Sequence, residues 1–228
     1  MDKMIVYEDS ALLVVHKPAG IATETARIGQ ADIVSELKNY RKKKGEDTYI
    51  GVIHRLDQPV EGLLVFAKNQ SAAKKLTNQL QDGTLSKKYA ALVAGAPAEQ
   101  EGELTDYLLK DARTNLSKVV PKDTKGAKEA RLHWKVAKRF SDADAGDYSL
   151  VEIELFTGRH HQIRVQMSHE GFPLLGDVKY GCDQSRALSR QLGITNTALL
   201  ADKLTFRHPQ TGKQMDFSIN NKLLFRQN

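Results

Sequence analysis

One short polar segment has residue types and spacing that suit covalent chemistry, His54-Arg55-Leu56-Asp57. It separates two apolar stretches that we predict to be strands, residues 49–53 and 63–67, and loops between strands are where a rigid scaffold displays reactive groups. A carboxylate in such a loop can act as a nucleophile toward an anomeric carbon, and a nearby cation helps to keep it ionised. Asp57 is therefore a candidate nucleophile, with Arg55 beside it.

Asp57 also has a plainer interpretation. It can open a turn before Pro59, with its side chain bonded to its own backbone. A protein-kinase catalytic loop also begins His-Arg, but its Asp follows at once, and this sequence has no glycine-rich loop for ATP. The kinase interpretation is excluded, whereas the turn and the nucleophile remain as alternatives.

A second polar cluster occupies residues 157–164, Thr-Gly-Arg-His-His-Gln-Ile-Arg. We predict a helix over residues 159–169, and free N–H groups at the start of a helix bind anions. Arg159 and Arg164 would then point in different directions, one toward a carboxylate and the other toward a phosphate. A solvated basic face is the alternative. The histidines of this segment lack the spacing of zinc ligands, so we predict no metal site.

Tyr89 begins the apolar part of a predicted strand at residues 87–94. A tyrosine in this position usually packs in the core or at its rim. It could instead stack on an extruded base, a contact worth about 1–3 kcal/mol.

The elements that must position these residues alternate between strand and helix patterns. We predict helices over residues 32–44 and 183–192, besides the one over 159–169 that ends before Gly171. A further helix is predicted to have its N-cap at Ser71 and to stop at Gly83. The remaining predicted strands cover residues 4–7, 12–16, 131–140, 148–156, 199–206 and 215–219, with a hairpin loop at 141–147. The sum is an α+β fold with mostly antiparallel strands.

Composition sets broad limits. The chain has 228 residues, a formal net charge of +6 and a single cysteine. The length suits one domain, residues 1–228, and a mild basic excess fits a polyanionic partner without requiring one. A lone thiol closes no internal disulfide, and we find no signal peptide and no apolar run that could span a bilayer. We therefore expect a cytoplasmic protein without membrane association.

The segments taken together resemble the RluA-type RNA pseudouridine synthase family. One such motif would be weak, but the ordered set is specific. The matching residues are Tyr7-Glu8-Asp9, Leu13 to Gly20, Ile53 to Asp57, Gly62 to Val65, Lys88-Tyr89, Gly95, Thr157-Gly158-Arg159, His161 to Arg164, Gly171, Pro173, Gly176-Asp177, Tyr180-Gly181, Leu204, Phe206 and His208-Pro209.

This resemblance implies roles for particular residues. Asp57 would be the nucleophile, Arg164 would form an ion pair with it, and Tyr89 would stack on the target uracil and help to remove the C5 proton. Arg55 would contact RNA as the uridine leaves its stack. Three further residues are expected to contact RNA, namely His54, Arg159 and His161. The family uses no cofactor and no metal, and its fold is a mixed sheet with a central basic cleft.

Three departures from the family pattern concern the substrate more than the reaction. The family usually has Thr-Ser before the glycine that follows its catalytic Asp, where this chain reads Gln58-Pro59-Val60-Glu61. His160 replaces a usual Thr or Ser, and Leu200 stands where a histidine is common. The chain begins at the catalytic domain, so we expect no N-terminal RNA-binding accessory domain and expect the catalytic domain itself to recognise RNA.

The favoured function is therefore isomerisation of uridines in structured RNA, with tRNA and rRNA both open and a monomer expected. A non-catalytic RNA-binding protein is the first alternative. A glycoside hydrolase is the second, because Asp57 could attack a sugar, but that chemistry usually needs a second carboxylate about 5–9 Å away. Glu61 is the nearest candidate in sequence, and nothing supports a general-acid role for it.

Overall fold

The computed structural model describes residues 1–25, 29–142 and 146–225. Within these ranges the chain forms eleven β-strands, four α-helices and two short 3-10 helices, Asp2–Met4 and Asn221–Phe225. The predicted α+β class with mostly antiparallel strands is confirmed. The chain divides into two compact units, Met1–Lys87 with Ala201–Asn220, and Lys88–Leu200 with Asn221–Asn228.

The first unit contains β1 (Ile5–Glu8), β2 (Leu12–Lys17), α1 (Ile33–Lys43), β3 (Gly51–Val52), β4 (Glu61–Ala67), α2 (Gln70–Gln81), β10 (Leu199–Arg207) and β11 (Gln214–Ser218). Its apolar core joins these strands to α2 through buried side chains such as Val14, Val65 and Leu76. In its sheet, β2 pairs antiparallel with both β1 and β4. Strand β3 pairs with β4, and β10 follows β4 and pairs with β11.

The two helices of the first unit test the predicted bounds of α1 and the predicted cap of α2. The helix predicted over residues 32–44 is present as α1 from Ile33 to Lys43, and Asp32 caps it by accepting a hydrogen bond from the Ser35 N–H at 2.8 Å. The predicted cap of α2 was wrong by two residues. Asn69, and not Ser71, caps that helix by accepting from the Ala72 N–H at 2.9 Å. Both residue types make good caps, and the asparagine comes first in the chain.

The second unit contains β5 (Ser86–Ala94), β6 (Glu101–Asp111), β7 (Leu116–Val120), β8 (Lys128–Asp142), β9 (Gly146–Leu155), α3 (Gln162–His169) and α4 (Asp183–Gln191). The predicted hairpin of β8 and β9 is confirmed, but these strands extend into the predicted loop 141–147, whose residues 143–145 lie outside the described ranges. The strands of this unit are all antiparallel to their neighbours and lie in the order β5-β9-β8-β6-β7.

The sequence pattern missed β6 and β7 altogether. Along β6 the side chains alternate between exposed and partly buried, and only Leu108 is fully buried. Charged residues such as Glu101, Glu103 and Asp106 interrupt the apolar periodicity that predicts a strand. Pairing with β7 and β8 therefore decides this strand more than its own hydrophobicity does.

In the part of the chain that is described, every helix is too short or too polar to cross a membrane.

Candidate active site

The loop that carries Asp57 is held in the first unit by the hydroxyl of Thr23. This buried oxygen accepts a hydrogen bond from the Leu56 N–H at 3.1 Å and donates to the Leu56 carbonyl at 2.9 Å. Both backbone groups of the residue before Asp57 thus find one partner. The Asp57 carbonyl then accepts from the Val60 N–H at 3.1 Å, which closes a turn. The turn interpretation is correct for the backbone of Asp57, and its side chain is half-buried.

A buried lysine supports the same loop from β2. Lys17 is fully buried, and its Nζ donates to the carbonyls of Pro18, Ile21 and Gln58 at 3.0, 2.7 and 3.2 Å. Burial lowers the pKa of Lys17 to about 8, although the negative charges of Asp57 and Glu61 act in the opposite direction. An ammonium group therefore lies in the electrostatic field of the candidate nucleophile.

The residues that depart from the family pattern have their own contacts. The Gln58 side chain donates through Nε2 to the Gly20 carbonyl at 3.0 Å, and the Gly20 N–H donates to the Gln58 carbonyl at 2.8 Å. Glu61 Oε1 lies 2.7 Å from His16 Nε2 on the neighbouring strand β2. The altered loop is thus stabilised by polar contacts of its own, and Glu61 is paired with a histidine.

Gly62 limits what the loop can become. Its φ angle is +146°, and a Cβ at this position would lie 2.5 Å from the Ala201 Cβ and 2.6 Å from the Ala201 nitrogen. Any side chain would therefore collide with the backbone of β10. This packing explains why a glycine must follow the loop.

The other two polar residues of the loop differ sharply in exposure. The side chain of Arg55 is 69% exposed and lies 3.8 Å from Glu24 Oε2. His54 is buried, and its Nε2 accepts a hydrogen bond from the Val65 N–H at 3.4 Å. Burial, and secondarily the charge of Lys87, lowers the pKa of His54 well below its usual value. His54 is therefore held neutral against β4, and its contact with RNA stays a prediction, as does that of Arg55.

Arg164 lies on α3 in the second unit and forms a buried bidentate ion pair. Its Nε and Nη2 contact the two carboxylate oxygens of Asp177 at 2.6 and 2.7 Å. The backbone N–H groups of Lys179 and Tyr180 also donate to this carboxylate. Burial alone would raise the pKa of Asp177, but the hydrogen bonds and charge of Arg164 outweigh it and lower that pKa. Asp177 thus fixes the orientation of the Arg164 side chain.

Tyr180 connects this ion pair to its surroundings. The Arg164 guanidinium lies 5.2 Å from the centre of the Tyr180 ring. The Tyr180 hydroxyl accepts from the Ser117 N–H at 2.9 Å and lies 2.7 Å from His161 Nδ1. His161 is buried and stacks on His160, with 3.7 Å between the centres of the two rings. Its contact with RNA stays a prediction.

The start of α3 differs from the prediction. The helix begins at Gln162, three residues later than expected, and His161 before it has a left-handed φ of +55°. The Arg159 N–H donates to Gln162 Oε1 at 2.9 Å, and the Arg159 Nε donates to the Glu129 carbonyl at 2.7 Å. The predicted start of α3 at residue 159 was therefore wrong, and Arg159 lies before the helix, where its N–H group donates to the Gln162 side chain. Anion binding by this segment stays a prediction.

Comparison with known proteins adds the family. The sequence profile described as RNA pseudouridylate synthase matches residues 11–169, which is more than half of the chain. The chain belongs to this family. The enzyme class predicted from the motifs, an RNA pseudouridine synthase, is thereby confirmed.

Two relatives and one solved structure show how far the likeness extends. The ribosomal large subunit pseudouridine synthase D of Zymomonas mobilis is 37% identical over 93% of this chain and 67% of its own length. The tRNA pseudouridine synthase C of Haemophilus ducreyi is 34% identical over 96% of this chain and 90% of its own length. The human RNA pseudouridylate synthase domain containing 1 has a TM-score of 0.75 at 23% identity, covers 96% of this chain and 83% of its own, and supports the fold.

The predicted site residues of this pseudouridine synthase are distributed over both units. Asp57 belongs to the first unit with His54 and Arg55, whereas Tyr89 and Arg164 belong to the second. Tyr89 is buried in β5 opposite Ile153 of β9. The ion pair of Asp57 with Arg164 and the stacking role of Tyr89 stay predictions.

Three residues that shape the site were missed. Thr23 and Lys17 act on the loop through backbone groups, and Asp177 orients Arg164. Lys17 and Asp177 lie in segments that match the family pattern, whereas Thr23 lies outside them. Among the described residues, no group of three or more His, Cys, Asp or Glu side chains could hold a metal ion.

Proposed function

We propose that this protein converts specific uridines of structured RNA to pseudouridine, with Asp57 as the nucleophile and the target base flipped out of its stack. The observation that carries the proposal is the position of Asp57. It lies in the family's motif, on a loop whose preceding residue is held at both backbone groups by Thr23, with a half-buried carboxylate. Such a loop presents a reactive group on a rigid support.

The reaction breaks one glycosidic bond and forms another. The N1–C1′ bond of uridine is broken, the uracil turns, C5 bonds to C1′, and the proton lost from C5 is balanced by one gained at N1. Asp57 either attacks C1′ as the N1–C1′ bond breaks and is released again when C5 bonds to C1′, or removes a ribose proton and later returns it. Both routes begin from the ionised carboxylate. In the proposed mechanism, Arg164 keeps Asp57 charged and Tyr89 stacks on the uracil.

Structured RNA is proposed as the substrate class. The two relatives described above are named for tRNA and for the large ribosomal subunit, and one of these RNA classes is proposed for this chain. Flipping a base costs a few kcal/mol, least where the nucleotide is already unpaired. Arg55, His54, Arg159 and His161 are proposed to contact the RNA. We further propose that residues 1–228 act as one catalytic domain, as a monomer, in the cytoplasm.

The test is to incubate the purified protein with tRNA and rRNA from a strain that lacks it, and to map pseudouridine. We expect new modified sites with the natural protein and none with Asp57→Asn. That variant should keep the circular dichroism spectrum and the RNA affinity of the natural protein. The control is Asp216→Asn, which removes an exposed carboxylate of the same unit and should leave activity unchanged.

Two outcomes would contradict the proposal in different ways. Full activity in Asp57→Asn would remove the nucleophile assignment but leave the enzyme class. No new pseudouridine with the natural protein at catalytic concentrations, together with tight RNA binding, would favour a non-catalytic RNA-binding protein.

A further inference from the structure

Most of the excess positive charge of the chain is concentrated in residues 107–128, the end of β6, β7 and the turn that follows, here named the basic arm. It contains six cations and two carboxylates, a formal charge of +4 in a chain of net +6. All six cations are exposed, and in the described part of the chain none of them forms an ion pair with a carboxylate. They are Lys110, Arg113, Lys118, Lys122, Lys125 and Lys128.

The two faces of the basic arm have different characters. Leu108 is buried on one face and packs in a cluster with Val165 of α3. Side chains alternate across a strand, so the other face carries Tyr107. The Nζ of Lys122 lies 5.8 Å from the centre of the Tyr107 ring, and Lys118 is exposed on β7. This second face combines an aromatic ring with exposed cations, which suits a ligand with both phosphates and bases.

The basic arm is anchored to the segment around α3 and does not extend freely. The Ser117 N–H donates to the Tyr180 hydroxyl, and Ser117 Oγ lies 2.8 Å from His160 Nδ1. At the turn of the hairpin, Lys179 Nζ donates to the Asn115 carbonyl at 3.0 Å. A surface fixed in this way loses little conformational entropy when it binds a partner.

The basic arm also adjoins a residue already expected to contact RNA. Arg159 donates to the carbonyl of Glu129, and Glu129 is paired with Tyr107 across β8 and β6. Arg159 is exposed. Tyr107 of the basic arm and Arg159 of the segment before α3 therefore both contact Glu129, whose carboxylate accepts a hydrogen bond from the Tyr107 hydroxyl at 3.4 Å.

We infer that the basic arm is a docking surface for the sugar-phosphate backbone of the substrate RNA, with Tyr107 placed against a base or ribose. Phosphate contacts of this kind position the nucleic acid and carry no sequence information. This inference rests on the proposed function for the identity of the substrate. It adds the surface that holds the RNA outside the reacting nucleotide.

The experiment is the double variant Lys118→Ala/Lys122→Ala in the full chain. Binding is measured with unmodified tRNA and rRNA transcripts, and with polyuridylate as a probe that needs no specific site, over a range of salt concentrations. The variant should bind RNA several-fold more weakly at low salt. Its slope of log affinity against log salt should fall by about 1.4–1.8, because two phosphate contacts are lost. On a transcript that the natural protein modifies, KM should rise while kcat changes little.

The matched control is Lys42→Ala/Lys43→Ala, which removes the same charge from exposed positions of α1. Its salt slope should remain that of the natural protein. An unchanged affinity and slope in the Lys118/Lys122 variant, or an equal loss in both double variants, would overturn the inference. If the natural protein made no pseudouridine but the slope fell as expected, the docking surface would stand and the proposed reaction would fail.

Discussion

The Asp57 loop and the Arg164 helix immobilise their key residues in opposite ways. The loop is held by backbone contacts, because Thr23 binds both peptide groups of Leu56 and Lys17 binds the carbonyl of Gln58. Arg164 is held through its own charged group, in a buried bidentate pair with Asp177. In the Asp57 loop the neighbouring backbone is held in place, whereas in α3 the functional side chain of Arg164 is itself held.

This difference has an energetic meaning. A buried ion pair is costly to desolvate, and removing one partner leaves a charge that the interior cannot solvate. Backbone hydrogen bonds involve smaller charges, and losing one costs less. We therefore expect Arg164 to tolerate change in its partner poorly, and the Asp57 loop to lose activity before it loses its fold.

The largest effect is expected for Asp177→Asn. This change keeps the shape of the side chain but removes the charge of the bidentate partner that orients Arg164, so the free energy of unfolding should fall by about 3–5 kcal/mol. Chemical unfolding monitored by circular dichroism measures it.

The control for that change is another Asp–Arg pair of the same unit. Asp183 lies 3.5 Å from Arg186 on the surface of α4. Asp183→Asn should cost less than about 1 kcal/mol, because exposed ion pairs contribute little. Equal losses in the two variants would show that burial of the Arg164 pair has no special weight.

A smaller effect is expected for Thr23→Val, which removes the hydroxyl but keeps the shape. The N–H and carbonyl of Leu56 would lose their shared partner, at a cost of about 1–3 kcal/mol. Because Leu56 precedes Asp57, kcat for pseudouridine formation should fall further than stability suggests. Thr23→Ser keeps the hydroxyl and should retain most of kcat. If valine and serine gave the same kcat, Thr23 would have no positioning role.

The prediction for Lys17 concerns how stability changes with pH. Its pKa is lowered to about 8 in the folded protein, from an ordinary value of 10.5. Between about pH 8 and 10.5 the unfolded chain holds a proton that the folded chain has released, so Lys17 makes stability rise with pH in this window. Below it, the burial of the charged amine is a constant cost.

Unfolding measured from pH 7 to 10.5 tests this sign. Lys17→Met should flatten the rise, whereas Lys74→Met, at an exposed position of α2, should leave the curve unchanged. If the free energy of unfolding changed with pH to the same extent in the natural protein and in Lys17→Met, the lowered pKa of Lys17 would be contradicted.

Much of the fold could be predicted from local patterns, because local physics decides it there. Helical periodicity predicted α1 to within one residue at each end, and alternation along β9 indicated its hairpin with β8. The start of α3 could not be predicted, since it depends on the left-handed backbone of His161 and the reach of the Gln162 side chain. Such choices are made by tertiary contacts that periodicity does not contain.

The same limit applies to the candidate site. The family motifs indicated Asp57 and Arg164, which carry reactive or charged groups. Thr23 was missed because its partner Leu56 lies 33 residues further along the chain. Lys17 reaches the Gln58 carbonyl across 41 residues, and nothing in its own neighbourhood predicts that a lysine would be buried there. Contacts between a side chain and a distant backbone leave no pattern in a single sequence.

Gly62 sets a boundary on how this loop can diversify. Position 62 admits no side chain because of Ala201, whereas Gln58 and Glu61 just before it have exchanged the usual residues for new contacts of their own. A side chain at position 62 would therefore push β10 away from β4, whereas the contacts of Gln58 and Glu61 lie outside this close approach.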